Sequence, residues 1–264
     1  MQKVDVNRVV FESIEEYENL FEDPKTTGKK ASEVAARFST FNEATVDSAL
    51  EDTLYPEFLQ KILNDDHVVQ IDKWLIKVDA EKEQVLVLDK KYLDQYTDLA
   101  NSNLDNKNIL VYSTEDQVLS MLKSNSKPSA TRVSCSGDGA GPDDGDRDQT
   151  YGKNLRVRIQ THYRRYGIYF ELCANPSKQK KRLGIWSYTS GNLRVEYSFK
   201  YQKLCSGEVF PSYAGNYTGT SYGNSTFSAY SGSERLEKYF IEARTVEQSD
   251  NVASPYTFSR YGGF

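Results

Sequence analysis

Along the first 123 residues the apolar positions fall in short mixed runs, whereas from Tyr151 onward they alternate with polar ones almost throughout. In the first part Val9, Val10 and Phe11 form an extended run, and Ser13 with Glu16 makes an S-x-x-E box ahead of Tyr17, Leu20 and Phe21. That order predicts a strand feeding a helix. The pattern recurs at 109–112, where Ser113 and Asp116 can box the start of a helix whose apolar face is Val118, Leu119 and Leu122. The echo is too short to count as a repeat. Between the two, 28–53 is polar with small residues and reads as mixed short helix and loop. The stretch 55–63 reads as an amphipathic helix with Pro56 in its first turn. Val68–Ile71, 74–78 and 84–88, separated by Asp72-Lys73 and by 79–83, predict three short strands in a meander. Tyr92, Leu93, Tyr96 and Leu99 predict a helix within 90–104.

In the second part the period is two. Leu155, Val157, Ile159 and Thr161 alternate with Arg156, Arg158, Gln160 and His162, and Leu193, Val195, Tyr197, Phe199 and Tyr201 alternate with polar residues in the same way. These are half-buried antiparallel strands. Stretches 168–174, 183–188, 226–230 and 239–246 add candidates, with Asn175-Pro176, Ser190-Gly191-Asn192, Gly207 and Gly223-Asn224 as turns. Six or seven strands in this length predict a sandwich or small barrel. The fold class expected is α+β: a small α+β N-terminal domain over 1–123, a linker over 124–150, and a mostly antiparallel β-sandwich or barrel-like domain over 151–264.

Charge sharpens the division. Residues 1–123 hold 25 acidic and 14 basic side chains (net −11), and 151–264 hold 8 acidic and 16 basic (net +8). The connecting stretch is rich in Asp, Gly and Ser and contains Asp138, Asp143, Asp144, Asp146 and Asp148. Asp144, Asp146 and Asp148 have the alternation of a calcium loop, yet the sixth position is Gln149 and the twelfth is Leu155. A calcium loop needs glycine and a bidentate glutamate there, so a solvated connector, or one lying along the neighbouring basic strand, is favoured. The basic residues Arg156, Arg158, Arg164, Arg165, Lys178, Lys180, Lys181 and Arg182, interleaved with Tyr163, Tyr166 and Tyr169, raise single-stranded nucleic acid as a partner. With a sequence pI of 5.3, a solvated basic face is the better reading.

Motifs for chemistry are few. Gly219-Thr220-Ser221-Tyr222-Gly223 matches G-x-S-x-G, but both histidines, His67 and His162, precede it. A nucleophile elbow of that type has its histidine downstream. Cys135, Cys173 and Cys205 have no metal-ligand spacing; Cys173 and Cys205 could pair in an oxidising compartment or serve as small buried groups. No metal site and no cofactor is expected. Trp74, near Asp65, Asp66 and His67, reads either as a binding residue beside an acid or as a half-buried aromatic after a turn, and the second fits the pattern better. Fourteen of the 19 tyrosines lie in the second part. The stretch 210–233, rich in Gly, Ser, Asn and Tyr, has the composition of a recognition loop. Tyr213, Tyr217 and Tyr222 are its candidate ligand-binding residues.

VVFESIEEYENLFE, HVVQIDKWLIKVDAEKEQVLVLD and YRRYGIYFELCA resemble stretches of uncharacterised families of secreted or lipid-anchored proteins from Gram-negative gut bacteria, which join a small α+β front part to a β-rich back part. Such relatives often carry a glycine near the turn occupied here by Asp72-Lys73. The resemblance carries over no activity and no site residues. It implies location: a secreted or cell-surface protein whose signal or lipoprotein leader was removed before Gln2, so that any membrane attachment is through that leader. The literal start MQKVDVNRVVF holds no signal-peptide core and by itself reads as cytoplasmic. The expected function is non-catalytic binding of glycan or another surface protein through loops of the β domain. The alternatives are a carboxylate-dependent hydrolase assembled by the fold and a structural or assembly protein without a small ligand.

Overall fold

The computed structural model describes residues 8–22, 54–124, 145–151, 154–203, 213–221, 226–248 and 256–261. It is mostly sheet with few helices. The chain groups into two compact units, Met1–Arg132 with Arg165–Tyr169, and Val133–Arg164 with Phe170–Phe264.

The first unit is built on a five-stranded sheet in the order β1 (Val10–Phe11), β2 (Val68–Ile71), β3 (Trp74–Asp79), β4 (Gln84–Asp89), β5 (Ile109–Ser113). β1 pairs parallel to β2, and the remaining neighbours are antiparallel. All four residues of β2 are buried, as are Val85, Leu86, Val87 and Leu88 of β4. Because successive side chains in a strand face opposite ways, such runs require cover on both faces. Val69, Ile71, Ile76, Val78, Val85 and Val87 join a cluster with helices α1 (Ile14–Glu18), α2 (Glu57–Ile62) and α4 (Val118–Lys123). Val68, Leu75, Leu86 and Leu88 meet Tyr96 and Leu99 of α3 (Tyr96–Ala100).

The Ser13 hydroxyl accepts from Glu16 N at 3.1 Å and caps α1, while the Glu16 carboxylate accepts from Glu12 N at 2.6 Å. The second box behaves differently. Ser113 N donates to Asp116 Oδ2 at 2.9 Å and closes a turn, and α4 begins only at Val118, with no side-chain cap at Gln117. The first amide of a helix has no partner inside it; here Val118 N donates to Gly167 O at 3.1 Å. The helix expected within 90–104 is shorter than its apolar spacing indicates. A 3₁₀ segment, Lys90–Gln95, is broken by the non-helical backbone of Tyr92, and only Tyr96–Ala100 is α-helical.

Arg165–Tyr169 belongs to this unit although the strands on either side of it do not. Tyr166, Ile168 and Tyr169 are buried in the helix-side cluster, Tyr169 stacks on Phe58 at 4.7 Å, and the buried Tyr17 hydroxyl donates to Ile168 O at 3.0 Å. Gly167 has φ +73, donates its N–H to Thr114 O at 2.8 Å, and a Cβ built on it would lie 2.5 Å from Val85 Cγ2. Only glycine meets both demands without strain.

The second unit has two sheets. One runs β11 (Tyr213–Ser221), β10 (Leu193–Lys203), β13 (Leu236–Glu247), β14 (Tyr256–Tyr261); the other runs β12 (Phe227–Gly232), β8 (Phe170–Arg182), β7 (Leu155–Arg165), β6 (Gly145–Tyr151), with β9 (Ile185–Tyr188) also paired to β8. One buried cluster draws on both, from Val157, Ile159, Tyr163, Phe170 and Leu172 to Leu193, Val195, Tyr239, Ile241 and Ala243. This is compatible with a β-sandwich, and the alternation in the sequence supplies it. The described strands do not close into a barrel: the ladders end at β11 and β14 in one sheet and at β12 and β6 in the other.

Three expectations are revised. Asn175-Pro176 is not a turn but the interior of β8, and Pro176 falls between the stretch paired with β12 (170–174) and the stretch paired with β9 (179–182). A residue without an N–H is tolerated at such a gap. The tyrosine-rich stretch 210–233 is not one loop, since it contains β11 and β12. The end of the acidic connector is a strand, with Asp148 opposite Arg158 in register and paired with Arg156 at 2.9 Å. Residues 28–53, with Asp138, Asp143, Asp144, Cys135 and Cys205, lie outside the described residues, and Cys173 is buried in β8.

A buried ion pair links the two sheets. Lys178 of β8 lies 3.6 Å from Glu247 of β13, with 7% and 0% of their side chains exposed, and Glu247 Oε1 accepts from Asn192 N at 3.3 Å. A Cβ on Gly191 would lie 2.5 Å from both Glu247 Oε2 and Lys178 Cδ. Removing one member of such a pair costs about 3 to 5 kcal/mol, whereas replacing both by apolar groups is often neutral. Urea unfolding of Glu247→Ala should show that loss, and the double variant Lys178→Met, Glu247→Leu should recover most of it. A double variant no more stable than the single would show that the pair is not what couples these positions.

Candidate functional site

The turn between β2 and β3 is held from three sides. Gln70, buried on β2, accepts from Arg8 Nε at 3.0 Å and Nη2 at 2.8 Å through its side-chain oxygen, and its Nε2 donates to Asp72 O at 3.0 Å. Asp72 N donates to Phe11 O at 2.8 Å, and Lys90 N donates to Lys73 O at 2.7 Å. Asp72 has φ +56, a left-handed conformation that aspartate tolerates better than most residues. The half-buried Trp74 follows at once, opposite Ile71 and Asp89, and packs against the helix-side core.

Beside it lies an open hollow of about 240 Å³ lined by Ile14, Glu15, Asp72, Lys73, Trp74, Leu122 and Lys123. Its charged groups are already positioned. Lys123 Nζ is 2.7 Å from Glu18 and 3.7 Å from Glu15, and Lys73 Nζ sits 5.0 Å from the Trp74 ring centre. A backbone hydrogen bond and the Ser13 hydroxyl hold the Glu15 carboxyl below its ordinary value. An aromatic ring with two carboxylates and two ammonium groups around it offers stacking, acceptors and donors, the means by which a polar ligand with an apolar face is held.

Asp65, Asp66 and His67 form a turn that is explained locally. Asn64 Oδ1 accepts from Asp66 N at 3.1 Å and Val68 N at 2.8 Å, and the Tyr96 hydroxyl joins Asn64 Nδ2 at 2.9 Å to Asp66 Oδ2 at 2.8 Å. Asp66 is thereby tied to the turn. His67, at φ +60, packs on Tyr55 with ring centres 4.6 Å apart and its Nδ1 3.1 Å from the Tyr55 hydroxyl. That hydroxyl donates to Val78 O at 2.9 Å, so Nδ1 carries the proton of the contact and Nε2 is left as acceptor. Burial and the neighbouring Lys77 lower the His67 pKa.

Of the tyrosines singled out in sequence, Tyr213 and Tyr217 lie on β11, opposite Tyr201 and Tyr197 of β10, and Tyr222 lies outside the described residues. Between the two pairs Gly215 faces Phe199, whose ring would be 2.7 Å from a Cβ there. Ser221 of the G-x-S-x-G match is the last residue of β11. Among the described residues no three His, Cys, Asp or Glu side chains gather as metal ligands. No described helix is long and apolar enough to cross a membrane. Sequence reasoning missed the hollow, because its residues come from α1, the β2–β3 turn and α4; Trp74 itself was the available signal.

Comparison with protein-family models, with curated proteins and with solved structures finds no match.

The lowered His67 pKa has a definite sign in stability. The unfolded chain takes up the proton near 6.5, so the stability due to neutral His67 is complete above that pH and is lost as pH falls through the lower folded value. The urea midpoint of wild type relative to His67→Asn, which also suits a left-handed backbone, should be constant above about pH 7 and decline below about 6.5. A difference that does not change down to about pH 5 contradicts the assignment.

Proposed function

We propose that this is a non-catalytic binding protein that takes a glycan, or a polar segment of another surface protein, at the Trp74 hollow. The observation that carries the reading is a half-buried indole at an open hollow ringed by Glu15, Asp72, Lys73 and Lys123. A sugar ring stacks its C–H face on an indole and spends its hydroxyls on carboxylates and ammonium groups; a peptide can use the same groups. The hollow is open to solvent, so affinity comes from a few contacts and is modest. The two-part organisation belongs to the same reading: an acidic α+β domain over 1–123 carries the hollow, and Tyr213, Tyr217 and Tyr222 of the basic β-rich domain over 151–264 are proposed as a separate contact. A secreted or cell-surface location, with a leader removed, is part of the proposal and rests on the resemblance above. The hydrolase alternative is less well supported, because Asp66 already has a structural task.

A glycan and protein-partner array separates the contacts. Trp74→Ala should weaken binding at least about tenfold, and the triple change of Tyr213, Tyr217 and Tyr222 to Ala should weaken it less. The reverse order would move the site to the tyrosine-rich stretch, and a ligand retained by both variants would remove both from the site.

A further inference from the structure

The hairpin formed by the end of β8 and β9 has a tip that the fold does not use. Lys181 pairs with Trp186 and Arg182 with Ile185, leaving the two-residue turn Leu183-Gly184. Both turn residues have positive φ, +49 and +88. Such turns favour Asn-Gly, because an ordinary side chain is strained at the first position. Leucine is therefore a poor choice for the turn, and at 103% exposure it packs on nothing. Ile185 is 69% exposed beside it. Lys180, Lys181 and Arg182 are exposed as well, and no acidic residue occurs from Leu172 to Val195. The Trp186 ring, one residue behind Ile185, lies 4.5 Å from the Arg156 guanidinium and 5.6 Å from Lys181 Nζ.

We infer that this hairpin docks on the anionic surface of a lipid bilayer, with Leu183 and Ile185 entering the acyl boundary, Trp186 at headgroup depth, and Lys180, Lys181 and Arg182 against the phosphates. Leu183 stands at the tip, and Arg182 and Lys181 lie level with Ile185 and Trp186, so the long cationic side chains can reach back to the phosphates while the aliphatic groups and the indole occupy the interface. Charge complementarity selects anionic lipid, since each cation near such a surface adds attraction within a Debye length. A single-stranded nucleic acid would use the cations and an aromatic platform but has no use for two exposed aliphatic side chains at the tip. The inference is independent of the Trp74 hollow, which lies in the other unit.

The test is co-sedimentation of the full chain with phosphatidylcholine vesicles, with and without phosphatidylglycerol, alongside an oligothymidylate of similar charge. Wild type should sediment with the phosphatidylglycerol vesicles only, and less at high salt. Leu183→Asn with Ile185→Thr should weaken this at least about tenfold while the melting temperature stays level or rises, because Asn suits the turn. Lys180, Lys181 and Arg182 changed together to Ala should abolish the preference for anionic lipid. No binding to either vesicle, binding unaltered in the Leu183/Ile185 variant, or binding to the oligonucleotide without binding to vesicles would each overturn the inference.

Discussion

Gly167 is the point at which the first unit depends on a distant part of its own chain. With a left-handed backbone and no side chain, it brings five residues, Arg165–Tyr169, against Val85 and Val118. Its carbonyl takes the first amide of α4, its own amide takes the Thr114 carbonyl, and the ring of Tyr169 lies on Phe58. Tyr17 closes the arrangement from the other side through Ile168 O, and burial pushes its hydroxyl well above the ordinary pKa, so it stays a neutral donor at any pH near 7. The helices so placed, α1 and α4, supply Glu15, Leu122 and Lys123 to the hollow at Trp74. The candidate site thus follows from a packing constraint some ninety positions away in the sequence.

Charge is used in two ways in the second unit. At the surface, Asp148 lies along the basic strand β7 and meets Arg156, a contact with partial water access and so worth on the order of 1 kcal/mol or less. In the interior, Lys178 and Glu247 face each other between sheets, where the desolvation of each ion makes its partner indispensable. The hairpin beyond Lys178 continues with three exposed cations, Lys180, Lys181 and Arg182, and no acid.

Alternation made β7, β10 and β13 legible from the residues alone, and the continuous apolar run Val85 to Leu88 did the same for β4, since both patterns report directly which faces are covered. The capping box at Ser13 was readable because its partners are three residues apart. The box at Ser113 misled because the same residues also close a turn, and the amide that decided the matter found its acceptor at Gly167. Asn175-Pro176 misled for a related reason: a local turn signal says nothing about a gap between two partner strands. At the candidate site, Trp74 and its turn could be seen in sequence, but Glu15 and Lys123 meet there only through packing. The exposure of Leu183 was out of reach, as the pair Leu-Gly gives no sign of whether a leucine is covered.

The Arg165–Tyr169 turn completes the core of the first unit, and the stability of Gly167→Ala in the full chain measures how much that core depends on it. The left-handed backbone accounts for about 1 kcal/mol and the crowding against Val85 and Val118 for about 1 to 3 kcal/mol more. Urea unfolding should therefore show a loss of about 2 to 4 kcal/mol, with amide protection lost first at Val118, whose partner is Gly167 O. A variant within about 0.5 kcal/mol of wild type, with Val118 protection intact, would show that the core does not depend on this turn.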